Sequence, residues 1–224
     1  MEFCLWAQGE YLNNRYFLKT ILFSDEATFT TNGIVSSQNS RYWATEKPDW
    51  IINCKRQYSQ KVNVWCGILN ETIIGPFFFE GNMNSIQFLL FLRNEFWNIL
   101  HELPVQERLN VNFQLDGSPI HNARAVTEWL EDNFPNRWIG RNSPLIRWPP
   151  RSPDLTPLDF FLWGVIKSKV YKSRPGNREE LCTKIRQACA EVTPQQLQNV
   201  QRNIRKRFEK CIEINGGLVE ATKI

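Results

Sequence analysis

The stretch Trp148–Tyr171, reading WPPRSPDLTPLDFFLWGVIKSKVY, constrains the fold more than any other. A loop crowded with prolines hands over to an aromatic helix, and the handover carries an acid, Asp159. Thr156 suits an N-cap, Pro157 the first helical position and Asp159 the first turn. Thr156-x-x-Asp159 therefore reads as a capping box whose carboxylate answers the positive end of the helix dipole. The helical phase adds a second constraint. At ~100° per residue, Leu162, Trp163, Ile166 and Val170 all lie within about 60° of Asp159, with Gly164 and Ser168 on the far side and Lys167 about 80° away, outside the stripe. An acid centred on an apolar stripe is aimed at the protein body, where an unpaired charge is costly. It needs a partner there, and a metal ion shared with other carboxylates is one candidate.

Two upstream acids are candidates to share such an ion. In Ile21–Phe29, ILFSDEATF, strict alternation puts Asp25 on the apolar face with Ile21, Phe23, Ala27 and Phe29, while Ser24, Glu26 and Thr28 share the other face. An Asp in the middle of a strand is disfavoured, which favours a functional acid over a structural one. A later strand, Val111–Asp116, ends in the turn Asp116-Gly117-Ser118-Pro119. Its alternation does not bury Asp116. The interest of this acid lies in its position, since open α/β sheets place their sites at the carboxyl ends of strands. An Asx-turn initiator explains the residue equally well. His121, close by, reads as local turn packing ahead of a group that orients a water or phosphate.

The remaining elements follow from periodicity and punctuation. Residues 2–18 read as a helix interrupted at Asn13-Asn14, and residues 31–60 as a polar irregular segment with a turn signal at Asn32-Gly33. Strands at 62–69 and 73–79 turn at Asn70-Glu71. An amphipathic helix spans 82–103, capped by Asn84 or Ser85 and stopped by Pro104. Another helix follows at 122–134, then a short edge strand on either side of Asn142-Ser143-Pro144. Beyond Pro175-Gly176-Asn177 come helices at 178–191 and 194–212, the second capped by Thr193. This order predicts an α/β fold, a mixed β-sheet flanked by helices with extra C-terminal helices.

Charge is unevenly spread. Residues 165–224 hold 13 of the 27 Lys and Arg but 6 of the 23 acids. A basic last quarter on a slightly acidic body points to an anionic partner, nucleic acid first, with Lys167, Lys169, Lys172 and Arg174 as phosphate contacts. Six cysteines without a CxxC and only two histidines exclude zinc-finger spacings. No signal peptide is recognisable, and the most apolar stretch, Ile86–Leu92, is far too short to cross a bilayer. A soluble intracellular protein with reduced thiols is expected, with no membrane association and no small-molecule cofactor.

Three carboxylates brought together with no His or Cys in the ligand set form an all-oxygen site suited to Mg2+ or Mn2+. Two such ions about 3.5–4 Å apart serve phosphodiester chemistry. ILFSDEATF (21–29), NSRYWA (39–44), VNVWCGI (62–68), QLDGSPIH (114–121) and the 148–171 stretch resemble, in order, the catalytic domain of mariner-type transposases, within the larger group of RNase H-like enzymes with three acidic residues. The resemblance implies that Asp25, Asp116 and Asp159 are the catalytic, metal-binding acids and that Asp154 is structural. It implies DNA cleavage and strand transfer with two Mg2+ or Mn2+ ions, DNA as partner, the nucleus as location, and a loop, 44–60, that reaches a second subunit in a homodimer. The expected organisation is a linker-like helix over 1–20, an RNase H-like catalytic domain over 21–175 and a basic helical extension over 176–224 packed on it. The alternative is a non-enzymatic nucleic-acid-binding or assembly module from a truncated or repurposed transposon copy.

Two features depart from the family pattern. The 42 residues between Asp116 and Asp159 exceed the usual mariner spacing, with the extra length expected around Arg137–Arg147, where it either shifts Asp159 or enlarges a loop. The family's N-terminal helix-turn-helix modules have no counterpart in these residues, so complete transposition by this chain alone is not expected.

Overall fold

Strand β1 (Ile21–Thr30) is the centre of a five-stranded sheet of order β3-β2-β1-β4-β5, in a computed structural model that describes residues 1–33 and 60–219. Its neighbours are β2 (Lys61–Leu69), antiparallel to it, and the short β4 (Asn112–Gln114), parallel. Strand β3 (Thr72–Phe79) continues the antiparallel half and β5 (Trp138–Ile139) the parallel half. The NSRYWA stretch and residues 44–59 of the proposed dimer loop lie outside the described residues.

Alternation along β1 divides the molecule into two cores. Ile21, Phe23, Ala27 and Phe29 face one core, and Leu22 faces the other. The first core lies against helices α1 (Glu2–Asn13), α7 (Trp163–Val170), α8 (Arg178–Ala190) and α9 (Pro194–Glu213). The second lies against α3 (Ser85–Phe91), a π-helical turn Leu92–Phe96 and its continuation α4 (Trp97–Glu102), with α6 (Arg124–Asn133) beside them. A sheet covered on both faces explains why β2 is buried at nearly every position instead of alternating. Two short helices complete the described residues, α2 (Phe17–Thr20) and α5 (Val105–Asn110). The latter follows Pro104, which the sequence offers only as a stop signal.

Local chemistry sets the ends of the flanking helices. Asn84 and Gln87 form a reciprocal capping box on α3, and Thr193 and Gln196 form another on α9. At Thr156 the expected box is replaced by backbone bonds. The N–H groups of Asp159 and Phe160 both donate to the Thr156 carbonyl, at 3.1 Å each, and no side chain caps the turn. The first helical residues, Leu158–Leu162, are π-helical before α7 begins.

The C-terminal helices are tied to the body through Asp154. Its carboxylate accepts from the Val219 N–H at 2.9 Å and its carbonyl from Arg207 Nη1 at 2.8 Å, in line with the structural role expected of it. Arg207 also lies 4.1 Å over the Phe160 ring. Phe3 of α1 packs edge-on to Trp148 and Phe208, so α1 shares the core of α9. Cys4, Cys66, Cys182, Cys189 and Cys211 are buried free thiols. Among the described residues no helix is long and apolar enough to cross a membrane.

Candidate active site

Asp25, Asp116 and Asp159 line one open cavity of about 1030 Å³, at the end of the sheet where β1 and β4 run side by side. Each reaches it differently. The alternation of β1 sends Asp25 to the α7 side and Glu26 to the opposite face. Ser24, between the two cores, locks β1 to β4 by donating its Oγ to the Gln114 carbonyl at 2.7 Å. This bond fixes the register that brings the β4 end, and so Asp116, beside Asp25. Asp159 arrives from the first turn of the helix at 158–170.

The long spacing before Asp159 does not carry it away from the other two acids. Residues 138–148, where the extra length is expected, fold back on themselves. The Trp148 N–H donates to the Gly140 carbonyl at 3.2 Å, and Ser143 Oγ donates to the Trp138 carbonyl at 2.6 Å. A parallel bridge from Ile139 to Ile146 completes the loop. It forms a wall of the cavity, to which it contributes Arg141, Asn142 and Arg147.

The electrostatics of the acids differ. Asp25 is held well above the ordinary carboxylate range, first by burial, then by the negative charges of Asp159 and Glu26, with Asp116 adding to them. A hydrogen bond from Trp163 Nε1 to its Oδ2, at 2.8 Å, works the other way but does not prevail. Asp116 is also penalised by burial, yet its carboxyl is lowered because the hydrogen bond and charge of His121 and the N–H of Ser118 outweigh that penalty. His121 Nδ1 donates to Asp116 Oδ1 at 2.7 Å and Nε2 to Glu26 Oε1 at 3.1 Å. Burial pulls the imidazole down, but Glu26 and Asp116 push it up to about 10, so it is a cation at neutral pH with both ring nitrogens donating. The Phe88 ring lies 4.6 Å from it.

His121 is therefore more than turn packing. It joins Glu26, on the face of β1 away from the apolar stripe, to Asp116. Two signals hinted at this. Glu26 is an acid inside a core strand, and His121 is one of only two histidines in the chain.

Lys167 corrects the expectation of a surface phosphate contact. It is only 4% exposed, 5.7 Å over the Phe29 ring, and within the field of Asp159 and Asp25. Burial lowers its ammonium to about 8 in spite of those two acids. The π-helical turn explains the miss. Its i→i+5 bonds take more residues per turn than an α-helix, so every later residue lags behind the ~100° phase and Lys167 swings in toward Asp159. Of the other three expected contacts, Lys169 pairs with Glu191 at 2.7 Å, Arg174 Nε donates to the Thr31 carbonyl at 3.3 Å, and Lys172 is exposed. None of the three lines the cavity.

The donor set suits a hard divalent cation. Three carboxylates border one cavity, and the repulsion felt by Asp25 is what a bound cation would relieve. Among the described residues, no three acidic, His or Cys side chains are already drawn together as a ligand group. Asp116 has Oδ1 turned to His121 and Ser118, and Asp25 has Oδ2 turned to Trp163. Each leaves its second oxygen outside those bonds.

Known proteins share both sequence and fold with this chain. The family model described as DDE superfamily endonuclease matches residues 20–182. The Tc3 transposase of Caenorhabditis elegans is 27% identical over 200 residues, covering 88% of this chain and 56% of that protein. The chain thus spans little more than half the length of that relative. Among solved structures, a pre-cleavage Mos1 transpososome superposes with a TM-score of 0.74 at 20% identity, over 96% of this chain and 60% of the other. The Mos1 transposase catalytic domain with Raltegravir and Mg gives 0.70 at 19% identity, over 96% and 92%. The mixed sheet flanked by helices is therefore the RNase H-like architecture expected.

Proposed function

The chain belongs to the DDE superfamily endonucleases, and from that membership we propose that it is the catalytic portion of a mariner-type transposase. It cleaves phosphodiesters in DNA and transfers the freed strand. The observation that carries this reading is the convergence of Asp25, Asp116 and Asp159 on one cavity, where the charges of Asp159 and Asp116 act on Asp25. Residues 21–175 form the catalytic unit, with 176–224 packed on it as a basic extension. The nucleus is the corresponding location, and the 44–60 loop the corresponding contact to a second subunit.

Asp25, Asp116 and Asp159 would hold Mg2+ or Mn2+, two ions in this reading. When bound, such ions activate the attacking oxygen and stabilise the leaving one. The protein's own groups prepare the site. His121 and the Ser118 N–H fix the orientation of Asp116 and keep it ionised. Trp163 holds one oxygen of Asp25. Lys167 places a buried cation near Asp159 and Asp25, limiting the repulsion between them. Lys169, Lys172 and Arg174 lend positive charge to the approach of DNA.

Incubation of the purified chain with supercoiled DNA and Mn2+ tests the proposal, beside Asp116→Ala. Nicking by the parent chain that needs metal and is lost in the variant is expected. Equal nicking by both would expose a contaminant and remove the support. No metal-dependent nicking at all would leave the non-enzymatic binding module.

A further inference from the structure

The cavity that the three acids line is also lined by three arginines, Arg141, Arg147 and Arg151, on the segment that runs from β5 to the helix of Asp159. All three are exposed, and none has a hydrogen bond, ion pair or ring contact among the described residues. Several basic side chains elsewhere on the surface are matched, although others, such as Arg93, are not. Arg124 pairs with Glu128, Lys184 with Glu180, Arg205 with Glu209 and Lys210 with Glu213. Three unmatched guanidiniums on one segment, lining the same cavity as three carboxylates, are an arrangement that folding alone does not require.

The wall is also built to stay in place. Gly140 lets the chain turn closely around Trp138, where a Cβ would fall 2.9 Å from the ring. Ser143 pins the loop to β5, and its hydroxyl accepts from the Leu145 N–H at 3.1 Å. Trp148 is buried against Phe3 and Phe23. Arg151 stands in the left-handed region at φ 53°, outside any helix or strand. Arg141 and Arg147 fall in the stretch, 137–147, where the extra length before Asp159 is expected.

We propose that Arg141, Arg147 and Arg151 form a binding wall for the sugar-phosphate backbone of the DNA strand beside the scissile phosphate. The inference rests on the nuclease reading for the choice of DNA as ligand. Its geometry, exposed guanidiniums lining the same cavity as the acids, is a separate observation. Guanidinium groups suit phosphate oxygens through paired N–H donors. A wall of one sign and acids of the other would seat the backbone along the arginines while the reacting phosphate faces the carboxylates. The added residues before Asp159 then act in substrate binding rather than as a passive insertion.

Binding without turnover separates this proposal from the catalytic one. The full chain is titrated with a fluorescent duplex in EDTA across a salt series, with Arg141→Gln, Arg147→Gln and Arg151→Gln singly and together. Arg93→Gln, exposed and outside the cavity, is the control, and circular dichroism checks the fold of each variant. The triple variant is expected to lose at least about tenfold in affinity at ~0.1 M salt. Its slope of log affinity on log salt should fall by about 2–3, since each phosphate contact contributes ~0.9. The triple Arg→Lys variant should keep most of the affinity, and Arg93→Gln should change it less than about twofold. Unaltered binding and slope in the triple Gln variant would overturn the proposal, as would an equal loss in Arg93→Gln or no binding by the parent chain. Loss of binding in the triple variant, from a parent chain that binds but never nicks with Mn2+, would uphold the wall and sink the catalytic reading.

Discussion

On the β4 side of the cavity, a carboxylate sits against a cation. Asp116 is clamped by His121, which Glu26 holds from behind, and its carboxyl is lowered. On the β1 side, a carboxylate sits among other carboxylates. Asp25 has burial, Asp159 and Glu26 against it, and a single indole N–H in its favour. The difference divides the labour of the site. The fold orients Asp116 and favours its ionised form, whereas in the proposed site a bound cation would relieve the repulsion that raises Asp25. A site of this kind couples metal binding to proton release, which makes metal affinity depend on pH.

Removing the two charges should therefore have like effects on chemistry and opposite effects on stability. Asp25→Asn and Asp116→Asn are each expected to lower Mn2+-dependent nicking by more than about 100-fold. In the metal-free protein near pH 8, Asp25→Asn should raise the melting temperature, because the group's raised folded value means its ionised form opposes folding. Asp116→Asn should lower it, because that acid's depressed value means its ionised form favours folding. Each kcal/mol moves the midpoint by roughly 2–4 °C in a chain of this size. Calorimetry in EDTA reads the sign, and shifts of the same sign for both variants would break the comparison.

His121 is the sharper probe of the compensated side. His121→Asn keeps a donor but removes the cation, and is expected to weaken Mn2+ binding by about 10–100-fold through the loss of orientation at Asp116. The sign of the stability effect follows from the raised folded value. Stability from the imidazolium is fully present below its unfolded value of 6.5 and is lost as pH rises through about 10. The stability gap between parent and variant, measured by urea unfolding in EDTA, should be widest near pH 6 and close toward pH 10. A gap that is flat with pH would mean that His121 only fills space.

Much of this was legible in the chain. The two faces of β1, its central acid and the order of strands follow from period-two patterning, and the 148–171 stretch pointed Asp159 inward. Three things were hidden, each for a physical reason. The π-helical turn at 158–162 breaks the constant phase on which a helical wheel depends, so Lys167 was assigned to the surface. The Asp116–His121–Glu26 chain needs the parallel pairing of β1 with β4, which joins residues 95 apart and has no local signature. The arginine wall depends on a loop folding back by backbone bonds to Gly140, whereas the sequence shows only extra length.

Trp163→Phe makes the smallest change and tests the uncompensated side most directly. Phe keeps the ring that packs against Phe29 and removes only the N–H that Asp25 accepts. That bond lowers the acid, so its loss raises Asp25 further and makes the proton harder for a metal to displace. A net hydrogen bond of about 1 kcal/mol corresponds to roughly a fivefold weaker apparent Mn2+ affinity. The deficit should be larger at pH 6 than at pH 8, because proton competition is greater at the lower pH. Isothermal titration at the two pH values measures it. Equal affinities for parent and variant at both would mean that the indole holds Asp25 without tuning it, and the contrast with Asp116 would then rest on burial and like charge alone.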